Sequence, residues 1–429
     1  MCFLSIMNKI LVKKAILEQK KEKEILLLKT YIPRQNLEKA KEYLNSSLVK
    51  VVLGPRRAGK SVFCLLLLKD TNFAYLNFDD EDLLKNIMQD DLIQLIAEIY
   101  DDPKILLFDE IQNLKNWELF VNKLQRRGKN IVLTGSNSNL LSQELASHLT
   151  GRYAQFEVLP FSFKEFLQAK GKVNLNPLVS EEKGVMLNLL SLYIKCGGFP
   201  EVVTTNLDPA PYLQTLFDAA LLKDVVKRHN IRLLQNIYDL SFFLASNFAC
   251  EISARKIKNS LGFASTTTVL THLKYLEQAY LCLILNRFSY KVREQIKSPK
   301  KVYLVDSGYS LVKSFRFSEN FGRLIENLVF VTLLRMGHKP NFSLFYYKTR
   351  NSKEVDFVLK TQEKVQELIQ VWWEQQEGNS KNREIKALLE ASGELNCENL
   401  KVITWDYEKK EHFNGKIVEF IPLFKWLLA

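Results

Sequence analysis

The stretch VVLGPRRAGKSVFCLLLL, Val51 to Leu68, decides the fold. It is a branched apolar run, then a turn bounded by glycines and closed by Lys-Ser, then a second apolar run. Gly54-Pro55-Arg56-Arg57-Ala58-Gly59-Lys60-Ser61 fits G-x-x-x-x-G-K-[ST] in the context that motif needs, after a strand and opening a helix. The glycines let backbone N–H groups curl around phosphate oxygens, and the new helix points its positive end at them. Gly54, Pro55, Arg56, Arg57, Ala58, Gly59, Lys60, Ser61 and Val62 are therefore the candidate ATP-binding residues. Lys60 is expected to reach the β- and γ-phosphates, and the Ser61 hydroxyl to bind Mg²⁺.

Outward from this loop the chain alternates strand and helix. Strands are expected at Val49–Leu53, Phe73–Phe78, Lys104–Phe108, Asn130–Thr134 and Ala154–Leu159, with helices at Asp82–Tyr100, Asn116–Gly128 and Ser138–Leu149. Apolar strands buried on both faces imply a parallel α/β sheet between helices. Leu106-Leu-Phe-Asp109-Glu110 ends one such strand in two carboxylates. Asp109 is expected to hold Mg²⁺, directly or through water. Glu110 is the candidate general base that polarises the attacking water. At the end of the next strand, Ser136 or Asn137 is placed to sense the γ-phosphate, and either also suits a helix N-cap. Asn137 joins Lys60 and Glu110 in the candidate catalytic set.

Over 429 residues the chain is 47% apolar and 25% charged, an ordinary globular balance with room for two or three domains. A net charge of +12 points to a polyanionic partner, nucleic acid first; a lysine-rich surface that binds nothing is the alternative. The six cysteines form no CxxC and sit mostly in apolar segments. They read as reduced thiols of a cytoplasmic protein, which argues against a disulfide scaffold or a zinc site. No uninterrupted apolar run is long enough to span a bilayer, so no membrane partner is expected.

Together, GPRRAGKS, LLFDEIQNLKNWE, LTGSNSNLLS, LTGRYAQFEVLPFSFKEF, CGGFPEV, LLKDVVKRHNI and ENLVF…EVDF resemble the AAA+ ATPases. They resemble more closely a family of predicted archaeal and bacterial ATPases in which an AAA+ domain precedes a winged helix and a nuclease-like domain of unknown function. The resemblance implies a charged N-terminal helix over 1–30, an ATPase core over 31–160, a helical lid over 161–245, a winged helix over 246–315 and a restriction-endonuclease-like domain over 316–429. It places Arg152 where such proteins carry an arginine finger, implying self-association through that residue; a structural salt bridge is the alternative. It places Gly198-Phe199-Pro200, and so Pro200, near the adenine; a plain helix–helix turn is the alternative.

In the winged-helix region Gly262 separates two short helices, followed by an apolar hairpin expected at Tyr280–Leu285. The second helix is expected to turn Thr267, Thr271, His272 and Lys274 outward, where it could enter a major groove of DNA; a packing module is the alternative. In the last domain Glu326, Asp356 and Gln370 match a possible second Mg²⁺ site. The lysine such nucleases need two residues after the second ligand is replaced by Trp372, and Gln370 is neutral, so cleavage is expected to be poor or absent unless Lys360 or Lys348 substitutes. The leading expectation is an Mg²⁺-ATP hydrolase coupled to DNA. A slow ATP-binding DNA switch, an ATP-gated nuclease and an ATPase acting on protein are the alternatives.

Overall fold

The computed structural model describes residues 2–85, 89–137, 151–173, 179–312, 321–373 and 380–429. They form two compact units, Met1–Pro160 and Phe161–Ala429.

In the first unit five short strands pair in parallel: β1 (Val49–Leu53), β2 (Phe73–Asn77), β3 (Ile105–Asp109), β4 (Asn130–Gly135) and β5 (Tyr153–Glu157), in the order β2-β3-β4-β1-β5. β1 is buried at every residue, as expected of a central strand covered on both faces. Helix α1 (Cys2–Leu27), α5 (Gln89–Tyr100) and α6 (Trp117–Arg126) contribute to the core on one face, where Ile16, Leu95 and Phe120 meet Val51 and Leu106. Helices α2 (Leu37–Glu42) and α3 (Lys60–Leu68) cover the other, through Leu37, Phe63 and Leu67 against Val52 and Leu107. α1 also protects the edge strand β2. The Gln19 amide donates to the Asn77 carbonyl at 3.1 Å and accepts from its N–H at 2.9 Å, and Lys23 Nζ donates to the Phe73 carbonyl at 3.0 Å. The helix expected over Asp82–Tyr100 is two helices, α4 (Glu81–Lys85) and α5. The helix expected over Ser138–Leu149 lies outside the described residues.

The second unit begins with helices α7 (Phe163–Ala169), α8 (Ser180–Cys196), α9 (Pro200–Thr204) and α10 (Pro209–Ala220). A π-helical segment, Leu221–Lys227, continues α10 before α11 (Leu234–Ser246). A three-stranded antiparallel sheet then carries a helix–turn–helix: β6 (Cys250–Ile252), α12 (Ala254–Leu261), α13 (Thr266–Gln278), β7 (Leu283–Asn286), α14 (Val292–Lys297) and β8 (Lys300–Tyr303), with strand order β6-β8-β7. Gly262 closes α12 in the left-handed region at φ 70°, and the Ser265 hydroxyl caps α13 by accepting from Thr268 N–H at 3.0 Å. Two expectations need correction. Tyr280–Leu285 is not a hairpin: β7 pairs instead with β8, across a segment that contains α14. His272 does not face outward. It is buried against Phe263, with ring centroids 5.6 Å apart, because it shares the face of Val269 and Leu276.

The chain ends in α15 (Phe321–Arg335) and a six-stranded mixed sheet. Its strands are β9 (Leu344–Lys348), β10 (Glu354–Thr361), β11 (Lys364–Trp372), β12 (Leu400–Thr404), β13 (Lys409–Phe413) and β14 (Lys416–Pro422), in the order β13-β14-β12-β11-β10-β9. Helix α16 (Ser380–Leu395) connects β11 to its parallel neighbour β12, and α17 (Leu423–Leu428) follows β14. Among the described residues no helix is long and apolar enough to cross a membrane.

Candidate functional site

The Gly54–Ser61 loop leaves the carboxyl end of β1. Gly54 sits at φ 152°, and a Cβ there would lie 2.0 Å from the backbone carbonyl oxygen of Val158, so no side chain fits. Val158 N–H donates to the Leu53 carbonyl at 2.7 Å, which fixes the segment after β5 against the loop. Arg34 ties the same two segments together: its guanidinium donates to the Ala58 carbonyl at 2.8 Å and to the Leu159 carbonyl. Arg34, buried at 8% exposure, is thus committed to holding the loop. Gly59, at φ 92°, turns the chain into α3, so Gly59, Lys60, Ser61 and Val62 carry the free N–H groups of that helix start.

The sheet order brings the carboxylates of β3 to this loop. Lys60 is buried at 5% exposure; its Nζ donates to the Pro55 carbonyl at 3.1 Å and lies 3.4 Å from Glu110 Oε1. Ser61 hydrogen-bonds the Asp109 carboxylate. Asp109, buried, accepts from the Thr134 hydroxyl and from Tyr75 Oη at 3.3 Å. Burial raises the Asp109 carboxyl above its usual range, Glu110 adds to that rise, and the bonds from Ser61 and Thr134 oppose it. Burial alone would raise Glu110, but the Lys60 ammonium, the bond from the Gln112 amide and the nearby Arg56 together hold that carboxyl below its usual value. Glu110 has a left-handed backbone at φ 51°, unusual for its type, and its N–H donates to Thr134 Oγ1 at 2.9 Å. The Gln112 amide donates to Glu110 and to Ser136 Oγ at 3.3 Å. Ser136 and Asn137 are both buried at the end of β4. Ser61 and Asp109 together present hard oxygen donors, the set that suits Mg²⁺.

Thr134, Tyr75 and Gln112 were not singled out from the sequence. Thr134 is the hub among them, serving Asp109 and Glu110 at once. Thr134→Val should strip both bonds and destabilise the fold by about 1–3 kcal/mol. It should lower any turnover on the order of 10–100-fold, as loss of a ligand-orienting group does. Thr134→Ser should restore both, measured by urea midpoint and ATPase rate.

Arg152 is exposed, at the residue before β5. Tyr153 pairs with Val49, at the start of β1, whereas the loop follows Leu53. At a rise of about 3.3 Å per residue, Arg152 and the loop lie at opposite ends of the sheet, about 15 Å apart along it. Pro200 is the first residue of α9, in the second unit. The glycines before it have a reason inside that unit. Asp306 accepts from Gly198 N–H at 2.8 Å and from Gly308 N–H at 2.9 Å. A Cβ on Gly197 would lie 1.8 Å from Asp306 Oδ1, and one on Gly198 2.2 Å from the Phe161 carbonyl oxygen. Burial pushes the Asp306 carboxyl up to about 6.

Glu326 and Asp356 do converge, but around an ammonium. Lys301 Nζ, from β8, lies 2.7 Å from Glu326 Oε1, 2.6 Å from Glu354 Oε1 and 3.2 Å from Asp356 Oδ1, and Lys301 is 1% exposed. Tyr303 Oη donates to the same Glu326 oxygen at 2.7 Å. Burial would lower the Lys301 ammonium, but Glu326 and its neighbours hold it well above its usual value. Gln370 is turned to structural partners: its Oε1 accepts from Asp356 N–H at 3.2 Å and its Nε2 donates to Glu384 at 2.5 Å. Among the described residues no cluster of three His, Cys, Asp or Glu side chains is arranged to hold a metal ion.

Residues 46–167 match the family model described as an AAA domain. Residues 187–312 and 321–426 match two domains of unknown function, DUF8612 and DUF4143. "Uncharacterized protein MJ1544" of Methanocaldococcus jannaschii is 41% identical over 403 residues, covering 89% of this chain and 88% of its own. The chain belongs to one family with MJ1544. A Haemophilus influenzae protein, also named as uncharacterized, is 30% identical over 93% of this chain and 99% of its own. Among solved structures, the Walker-type ATPase PABY2304 of Pyrococcus abyssi aligns with 65% of this chain and 95% of its own, at 17% identity and a TM-score of 0.44.

Proposed function

We propose that this AAA-family chain is an Mg²⁺-dependent ATPase whose nucleotide state acts on DNA. The observation that carries the proposal is the meeting of Lys60, Ser61, Asp109 and Glu110 where β1 and β3 end, beside a loop that admits only glycine at position 54. In this reading the loop N–H groups and Lys60 bind the phosphates, and Ser61 and Asp109 hold the ion. Bound Mg²⁺ would offset negative charge on the β- and γ-phosphates. Glu110 takes the proton of the attacking water, and Ser136 or Asn137 orients that water. Arg152, placed away from its own loop, serves as a finger only toward a neighbouring subunit, so the reading includes self-association. Pro200 stays a proposed adenine contact. Its reduced cysteines suit a protein of the cytoplasm.

DNA is the proposed partner because the charge is clustered. Residues 246–312 hold ten lysines and arginines against four acidic residues, half of the net +12. We read the β6–α12–α13–β7–α14–β8 order as a winged helix, with Thr267 and Lys274 exposed on α13. Equilibrium binding of Mg²⁺-ATP, followed by turnover, tests the reading; a chain that binds no nucleotide overturns it.

We propose that the mixed C-terminal sheet belongs to a nuclease-like domain that does not cleave. Lys301 supplies to Glu326, Glu354 and Asp356 the positive charge that a metal would. Lys301→Met should leave Glu326 and Asp356 buried without their cation, costing about 3–5 kcal/mol by urea denaturation. The wild type should leave plasmid DNA intact with Mg²⁺. Cleavage that Asp356→Ala removes would favour the gated nuclease instead.

A further inference from the structure

A cleft of about 590 Å³ opens between the β7–β8 connection and the start of the C-terminal sheet, within the second unit. Five cationic side chains line it, and their partners differ. Arg287 donates to the Lys348 carbonyl at 2.7 Å, and Lys348 pairs with Glu251 at 2.6 Å. Arg293, Lys297 and Arg350 are exposed and make no ion pair with any described residue. The two carboxylates of the cleft are held by partners other than these three side-chain cations. Glu294 accepts from the Ser289 hydroxyl at 2.8 Å and lies 3.5 Å from Lys291. Glu394 accepts from Tyr347 Oη at 2.6 Å and from Arg350 N–H at 3.0 Å. Three cations therefore converge on one opening with their charge unspent.

Beside them stands a ring with an open face. Tyr290 is 65% exposed, yet it is braced edge-on by Phe288 at 5.1 Å, and Phe288 is buried against Phe345 at 5.5 Å. A solvent-facing aromatic held by a buried aromatic, next to unpaired guanidinium groups, is the combination that binds an unpaired nucleic-acid strand. The cations take successive phosphates, and a base stacks on the ring. A duplex has its bases already stacked and offers the ring nothing.

We infer that this cleft is a site for single-stranded nucleic acid, with phosphates on Arg293, Lys297 and Arg350 and one base on Tyr290. The inference rests on the proposed DNA reading and deepens it, by assigning the strand to a cleft that no residue of α13 lines.

The test is fluorescence anisotropy of the full chain with a labelled single-stranded oligonucleotide and with its duplex, over a salt series. The triple variant Arg293→Ala, Lys297→Ala, Arg350→Ala should lose at least tenfold in single-strand affinity. It should flatten the plot of log affinity against log salt by about 2, since each phosphate contact on a single strand contributes about 0.7. Lys14→Ala, Lys21→Ala, Lys29→Ala removes equal charge from the first unit and should change little. Tyr290→Ala should cost about tenfold on the single strand, as loss of a stacked base does, without altering the salt slope. A wild type that binds no nucleic acid at low salt would overturn the DNA reading and this inference together. A wild type that binds, with the cleft triple equal to the control triple, would overturn this inference alone. Equal binding of duplex with Tyr290→Ala silent would overturn the stacking role.

Discussion

Lys60→Ala is expected to lower ATP turnover on the order of 10²–10³-fold or more, the scale set by losing one preorganised donor to a developing charge. Two effects add. The ammonium that would meet the β- and γ-phosphates is gone. Glu110 also loses its nearest counter-charge: Lys60 lies 3.4 Å away and, with Gln112 and Arg56, holds the Glu110 carboxyl down against burial. Without it, burial is opposed only by Gln112 and Arg56, and the Glu110 carboxyl rises. Lys60→Arg keeps the charge, but a planar fork must fit where a compact ammonium now reaches the Pro55 carbonyl. It should recover part of the binding and little of the rate. ATP affinity and turnover, measured on both variants, separate the two contributions.

Glu110→Gln is expected to keep nucleotide affinity and to lower hydrolysis by about 10²–10⁴-fold, the usual weight of a general base. The amide fills the same space and still accepts a hydrogen bond, so the left-handed turn at Glu110 and its N–H bond to Thr134 persist. What disappears is the proton acceptor. Loss of affinity in parallel with rate would assign Glu110 to binding. Wild-type hydrolysis would remove it from the chemistry.

The part of this site written in contiguous residues was legible in the sequence. A strand, a glycine-bounded turn, Lys-Ser and a helix follow one another along the chain, so local chemistry defines the loop. Asp109 and Glu110 declare themselves as charges at the end of an apolar run. What was not legible depends on pairing between distant strands. Thr134 touches Asp109 because β4 is inserted between β3 and β1, an order that nothing in LTGSN announces. Lys301 sits in KKVYLVD, where it passes for a solvated strand residue. It proves to be buried because β8 is the middle strand of its sheet and faces Glu326 and Asp356. His272 was misassigned for a different reason. Its spacing from Val269 and Leu276 already placed it on the apolar face, and the polarity of imidazole outweighed a periodicity that was the better guide. The hairpin expected at Tyr280–Leu285 failed similarly, since an apolar run does not reveal where its partner strand lies.

The proposed coupling between ATP and DNA is tested most directly by steady-state ATP turnover of the wild type and Lys60→Ala at fixed salt, with Mg²⁺ and with single-stranded DNA titrated in. The account predicts turnover that requires Mg²⁺, rises with DNA and disappears in Lys60→Ala. Turnover unchanged by Lys60→Ala would contradict the assignment of the loop, and turnover indifferent to DNA would contradict the coupling.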